Sequence, residues 1–427
     1  MPRKSKKTIM EESILKLWEI RMVWKTIRDT SGQTSFLEDS IDHMYFVLYW
    51  SVRDSRYINR QPYRTRLSTD VFQIDLQLTD DENGHRPFLS NDEFLQKYRM
   101  SRQSFAKLVS LIDHHPVFDA CNRGPKQLPP AFQLMVFLKY IGTEGSGNSN
   151  PDLRNIFRTG RGTNDLYKMR VVRAIQSLRT TYYTWPDEAE KKAISARILK
   201  AFHLPNCIGF ADGTLNPLAT KPRRQDSADY YGRKHGYSLS TLIICDDRRL
   251  IRYYLAGWPG SCHDNRIFRN SQLAATPLNF FSEKEYLLGD SAFEAAWYMV
   301  PAFKKTHGCC LPQEYENFNS CLSAARVTSE HTIGIWKARF PWLRNIRTTI
   351  TDDRRSMKAI LHFIECTVIL HNFLIQENER DIPQDWLCED DTVHLDENDE
   401  LNAALAAESP KNTRQMQLMT YVNEILH

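Results

Sequence analysis

Between about residues 93 and 200, apolar residues recur every three or four positions, the spacing of amphipathic helices. Ser90 followed by Glu93 is a capping-box pair and predicts a helix starting near Glu93. A second helix is predicted over 101–113, with Phe105, Leu108, Val109 and Leu111 inward. A third is predicted over 130–140, broken by the glycines of 142–147. A short helix over 151–157 opens on Pro151, a turn follows at 159–162, and a longer helix is predicted over 163–180. Its inward stripe is read as Leu166, Met169, Val172, Ile175 and Leu178. From 205 the period changes. Short apolar runs, CIGFAD (207–212), YSLSTLIIC (237–245) and LIRYYLA (250–256), predict a three-strand meander. A helix over 263–273, a fourth strand over 285–288, and helices over 322–340 and 352–376 complete the reading. The first 92 residues are irregular, with one helix expected over 9–27 and a strand-like VFQIDLQL.

This pattern divides the chain into four stretches. Residues 1–92 form a variable region, and 93–200 an all-α, helix-turn-helix-like region. Residues 205–378 form an α/β domain with a mixed sheet flanked by helices, and 379–427 an acidic tail expected to lack structure. A meander followed by a helix and a fourth strand matches the ribonuclease-H-like plan, in which the first and fourth strands are parallel neighbours.

Charge sharpens the division. Nine acids and no Lys or Arg lie between Asp381 and Glu400; removing them from the net +4 leaves about +13 for the rest. A basic body suits a polyanionic partner. Arg154, Arg158, Arg161, Lys168, Arg170, Arg173 and Arg179 face a single acid, Asp165, across the helix-turn-helix-like segment. Such cations neutralise phosphates and hold register on DNA; an ordinary helical hairpin with a solvated basic face fits the same pattern. Arg3, Lys4, Lys6 and Lys7 form a short basic patch suited to nuclear import, with cytoplasmic residence also open. The nine cysteines form no CxxC pair, and Cys309-Cys310 beside His307 lacks zinc-site spacing. Reduced thiols are expected. No run reaches the ~18 apolar residues of a membrane span, so no membrane association is expected.

Three acids stand where chemistry is usually placed. Asp212 and Asp290 each end an apolar strand beside a glycine, and Glu330 lies on a helix able to cross the sheet. Close carboxylates repel one another, so the cluster makes sense chiefly as a site for hard cations, Mg²⁺ or Mn²⁺. Taken singly, each acid is better explained as a turn or cap residue. Asp264 is read as a helix cap, with an accessory metal-ligand role as the alternative. Arg326, one turn before Glu330, is placed to pair with Glu330 or with a phosphate. Lys221, Arg223, Arg224, Arg233, Lys234, Lys337, Arg339, Arg344 and Arg347 are read as a DNA groove or as solvated surface.

Five ordered blocks surround these acids: DGT (212–214), DYYGRKH (229–235), GWPGSCHDNRIF (257–268), LLGDSAF (287–293), and Phe318-Asn319 with RVTSEHTIGIWKARF (326–340). Together they resemble the catalytic domain of PIF/Harbinger transposases, a DDE family. The resemblance implies a two-metal DNA endonuclease or transposase with Asp212, Asp290 and Glu330 as the acidic triad. It also implies attack of a freed 3′-hydroxyl on target DNA and a separately encoded Myb-like DNA-binding partner. Homo-oligomerisation is left open. Asn216 and Pro217 depart from the family pattern after the first acid. Two rival readings keep the same residues: a DNA-binding protein with a silent nuclease fold, and a metal-dependent phosphohydrolase of small substrates.

Overall fold

The structure, a computed structural model, describes residues 6–29, scattered positions between 44 and 52, 89–119, 127–157, 159–232, 234–304, 311–387 and 413–426. Arg3, Lys4, the strand-like run before residue 80, Arg158, Arg233, His307, Cys309, Cys310 and the acidic stretch 388–400 lie outside them. The chain forms two compact units, Met1–Arg66 and Leu67–His427. The first contains α1 (Lys6–Asp29). The second contains everything discussed below.

The helical segment begins where its caps dictate. Ser90 Oγ accepts from the Glu93 backbone at 3.2 Å, and Glu93 returns the bond to the Ser90 N–H at 2.8 Å. That capping box starts α2 (Asn91–Tyr98). Ser101 caps α3 (Arg102–Ile112), which buries Phe105, Leu108 and Ile112 but leaves Leu111 exposed. Then come α4 (Pro130–Ile141), α5 (Asn150–Phe157), α6 (Arg161–Gln176) and α7 (Glu188–Phe202).

The stripe expected on α6 is rotated. Leu166 and Met169 face solvent, whereas Tyr167, Val171, Val172 and Ile175 are buried. Packing of α6 against α4 and a late core helix selects that face. The burial brings Lys168 inside, where it pairs with Asp165 at 2.9 Å and lies 4.2 Å from the Tyr140 ring centroid. A cation over an aromatic face beside a carboxylate tolerates burial.

Five strands follow: β1 (Cys207–Pro217), β2 (Ser238–Cys245), β3 (Ile251–Pro259), β4 (Tyr286–Gly289) and β5 (Met299–Pro301). Their spatial order is β3-β2-β1-β4-β5. β1, β2 and β3 pair antiparallel as the predicted meander, and β4 joins β1 in parallel. β5, only three residues long, is not expected from the pattern; it pairs parallel with β4. The predicted 263–273 helix is interrupted: α8 (Asp264–Arg269) ends, and Ser271 caps a separate turn at Gln272–Ala275.

The two faces of the sheet are covered differently. Ile208, Ala211, Leu242, Ile244 and Leu287 pack with Ile267 and Phe268 of α8. On the other face lie α9 (Gln313–Arg339) and α10 (Arg354–Gln376). Alternation along β2 sorts the side chains: Leu242 and Ile244 go to one face, Ile243 and Cys245 to the other. α10 is apolar enough to cross a membrane by length and composition, yet here it is a core helix. Its Phe363, Ile364, Ile369 and Phe373 join one cluster with Phe105 of α3, Phe137 of α4 and Val172 of α6. The helical region and the sheet therefore share a core. The expected structureless tail is corrected at its end: α11 (Thr413–Leu426) docks through Leu418, Met419 and Val422 beside Phe210, Leu288 and Phe318.

His371 of α10 is fully buried, and its Nε2 donates to the Arg249 carbonyl at 2.9 Å. Nδ1 has no hydrogen-bond partner among the described residues. Burial, and then the nearby Arg339 charge, depress the imidazole pKa to about 3, against an ordinary 6.5. The folded state thus holds the ring neutral where the unfolded chain protonates it. The resulting stability is complete above about pH 6.5 and lost as pH falls toward 3, by at most roughly 1.4 kcal/mol per pH unit. Urea denaturation at pH 7 and pH 4 should show a smaller difference for His371→Gln than for the wild type.

Candidate functional site

The parallel register of β1 and β4 builds the site. Phe210 lies opposite Leu288. Continuing that register by two residues sets Asp212 alongside Asp290, and a two-residue step keeps both on the face they share with Phe210 and Leu288. β4 stops at Gly289, while β1 runs on to Pro217, paired beyond Phe210 only with β2. The edge of β1 beside Asp212 and Gly213 that β4 leaves unpaired is termed the notch. Asp290 turns at its rim, with Oδ1 accepting from the Ala292 N–H at 2.9 Å.

Both faces of the sheet reach this notch. From one side comes α9, packed on β1. Ser329 Oγ is 3.4 Å from Asp212 Oδ2, and Arg326 Nη2 is 3.9 Å from Asp212 Oδ1. Lys337, three turns beyond Arg326, donates to the Leu215 carbonyl at 2.8 Å. Glu330 is half-buried and follows Arg326 by one turn, so it shares the helix stripe that meets β1. From the other side comes Asp264. Its carboxyl group occupies the space beside Gly213: a Cβ built there would lie 2.1 Å from it. Glycine is thus required for Asp264 to approach the strand. The cap reading of Asp264 fails, because the N-cap is His263 and Asp264 is the first helical residue.

The electrostatics follow from this crowding. Burial pushes the Asp212 carboxyl up to about 7, with Arg326 opposing the rise and Asp290 and Asp264 adding to it. A carboxylate held at such a cost, among other carboxylates, is a donor set suited to a hard divalent cation. Asp290 and Asp264 thus lie within Coulombic range of Asp212, and Glu330 follows Arg326 by one turn of α9. Among the described residues, no three His, Cys, Asp or Glu side chains converge closely enough to hold an ion as they stand.

The remaining predicted positions separate by burial. Arg154, Arg161, Arg173, Lys221, Arg223, Lys234 and Arg347 are exposed, and Arg170 and Lys337 are half-buried. Lys168 and Arg339 are corrected as DNA contacts: both are buried, Lys168 against Asp165 and Arg339 against the Glu379 carbonyl. Arg224 is engaged by Asp226 at 2.7 Å. Arg326 pairs with Asp212 rather than with Glu330. Ser329 escapes a reading of the sequence, because a lone serine in a helix carries no signal. Asn216 is fully buried, accepting from Thr241 at 2.8 Å, so this departure from the family pattern is a structural tie beside the site. The described cysteines 207, 245, 262, 321 and 366 are free thiols.

Asp212, in the central strand of the mixed sheet, thus has other carboxylates within Coulombic range. Residues 211–372 match the family model described as "DDE superfamily endonuclease", in keeping with the Harbinger-type motif blocks. The match and the relatives below support a nuclease, a hydrolase. It is similar to "Putative nuclease HARBI1" of Bos taurus, 25% identical over 288 residues covering 67% of this chain and 78% of that protein. The Homo sapiens protein of the same name is 24% identical over 288 residues, with the same coverage. "Protein ALP1-like" of Arabidopsis thaliana is 26% identical over 309 residues, covering 67% and 71%. No solved structure gives a significant match.

The raised Asp212 pKa has a signed consequence without metal. The folded protein keeps this proton up to about pH 7, whereas the unfolded chain loses it near 3.8. Folding is therefore favoured by this group below about pH 3.8, and that contribution is lost as pH rises to 7. Asp212→Asn removes the cost. In EDTA at pH 8 it should raise urea-measured stability by about 2–4 kcal/mol, with the gain shrinking toward pH 4.

Proposed function

We propose that the protein is a metal-dependent DNA endonuclease whose acids are Asp212, Asp290 and Glu330, with Asp264 as an accessory ligand. The observation that supports this reading is the parallel β1–β4 register, with Phe210 opposite Leu288 two residues before Asp212 and Asp290. The strand order supports a ribonuclease-H-like assignment for this domain. Mg²⁺ or Mn²⁺ bound there supplies an activated water and Lewis acidity toward the phosphodiester.

The chain's own residues do the rest. Asp212 and Asp290 face the notch from neighbouring strands, so their oxygens act as paired ligands. Glu330 enters from the α9 stripe by rotation of its flexible side chain, and Asp264 adds negative charge from the opposite face. The exposed Arg154, Arg161 and Arg173, with the partly exposed Arg170, fit phosphate contacts from a helix-turn-helix-like pair, α5 and α6. Lys221, Arg223 and Lys234, exposed on the segment after β1, extend the basic surface. Attack of a freed 3′-hydroxyl on target DNA, a Myb-like partner and nuclear residence are proposed on the family resemblance and the basic N-terminus.

One observation favours a silent fold that binds DNA without cutting it: the acids do not converge as they stand. Nicking assays separate the two. With Mg²⁺, wild-type protein should cleave duplex DNA, and Asp290→Asn should lose cleavage by a factor of about 10³ or more while gel-shift binding is kept. Cleavage at the wild-type rate by Asp290→Asn sinks the site assignment. Binding with no cleavage by wild-type protein establishes the silent fold.

A further inference from the structure

Among the described residues, Arg326 is the cation set against the acidic notch. Its side chain is 14% exposed, and Asp212's is 16%. Nη2 lies 3.9 Å from Asp212 Oδ1, too long for a hydrogen bond and well within Coulombic range. Its Nε is buried and has no hydrogen-bond partner among the described residues. A guanidinium that spends only one edge on a loose ion pair, and keeps a buried N–H unused, is incompletely satisfied. Arg326 also sits four residues before Glu330, on the stripe of α9 that meets β1. Lys337, on the same stripe, is already committed to the Leu215 carbonyl.

We propose that Arg326 is an exchangeable counter-ion: it compensates Asp212 while the notch lacks metal, and turns its fork to a non-bridging phosphodiester oxygen once divalent cations hold Asp212. The first role follows from placement: Arg326 Nη2 lies within Coulombic range of the largely buried Asp212 carboxyl. The second follows from geometry. The guanidinium is planar with five donors, matches two phosphate oxygens, and keeps its charge at any working pH. Moving from carboxylate to phosphate is a rotation of the long Arg326 side chain, while Lys337 on the same helix keeps its bond to the Leu215 carbonyl. The inference rests on the metal-dependent reading above.

The two roles predict opposite effects of one substitution. Removing the competing cation should tighten metal binding, whereas removing the phosphate contact should slow cleavage. For Arg326→Gln, Mn²⁺ titrated without DNA, followed by electron paramagnetic resonance of the free ion, should show affinity on the order of tenfold tighter than wild type. Cleavage at saturating Mn²⁺ should fall by about 10²–10³. Arg326→Lys should bind Mn²⁺ as the wild type does and recover part of the rate, since it restores charge without the fork. Weaker Mn²⁺ binding by Arg326→Gln, together with lost cleavage, would show a structural prop for Asp212 and overturn the exchange. Unchanged cleavage at saturating Mn²⁺ would overturn the phosphate contact. If wild-type protein binds no Mn²⁺ while Arg326→Gln stays folded and also binds none, the metal reading itself fails, and the exchange fails with it.

Discussion

The parallel pairing of β1 with β4 is the constraint on which the site depends. Parallel neighbours need a crossover, and here it is supplied by β2, β3 and α8. The crossover does two things at once. It lays β4 beside β1 with Phe210 opposite Leu288, and it delivers α8 to the opposite face with Asp264 at its start. Because β4 is short, pairing ends just before the acids. The backbone edge left open is the notch. A longer β4 would fill it, and a shifted register would move Asp290 to the other face.

α10 holds this arrangement in place. It is long, apolar and buried, and it runs between the sheet and the helices that precede it. Its Asn372 shows how the polar groups are reconciled with that position. The side chain accepts from the Ile251 N–H and donates to the Ile251 and Tyr182 carbonyls, each at 2.8 Å, pinning the start of β3. A buried amide with both ends satisfied adds rigidity without an unpaired group. The basic surface of α6 and the acidic notch thus belong to one packed body.

Several features are legible in the amino-acid sequence alone. The Ser90–Glu93 pair marks a helix start because the two side chains answer backbone groups within one turn. The apolar runs ending at Asp212 and Asp290 mark strands because alternation and composition are local. Less is legible where neighbours choose. α6 offers apolar residues on more than one face, and only contact with α4 and α10 decides that Leu166 and Met169 stay outside while Lys168 goes in. β5 is too short to show a period. α11 follows an acidic stretch, and its apolar side gains meaning only from the pocket it covers.

For the site, the sequence by itself determined which groups exist: two aspartates bordering apolar runs, a third carboxylate on a helix, and a glycine beside each aspartate; that β1 continues through Asp212 to Pro217 was not legible. These are properties of residue type and local spacing. Tertiary structure alone decided which of them meet. Asp264 reaches the notch because Gly213 leaves room for it, and Arg326 rather than a surface lysine faces Asp212 because α9 crosses β1 at that turn. Distances between residues far apart in the chain are set by how elements pack, and no pattern within a single element records them.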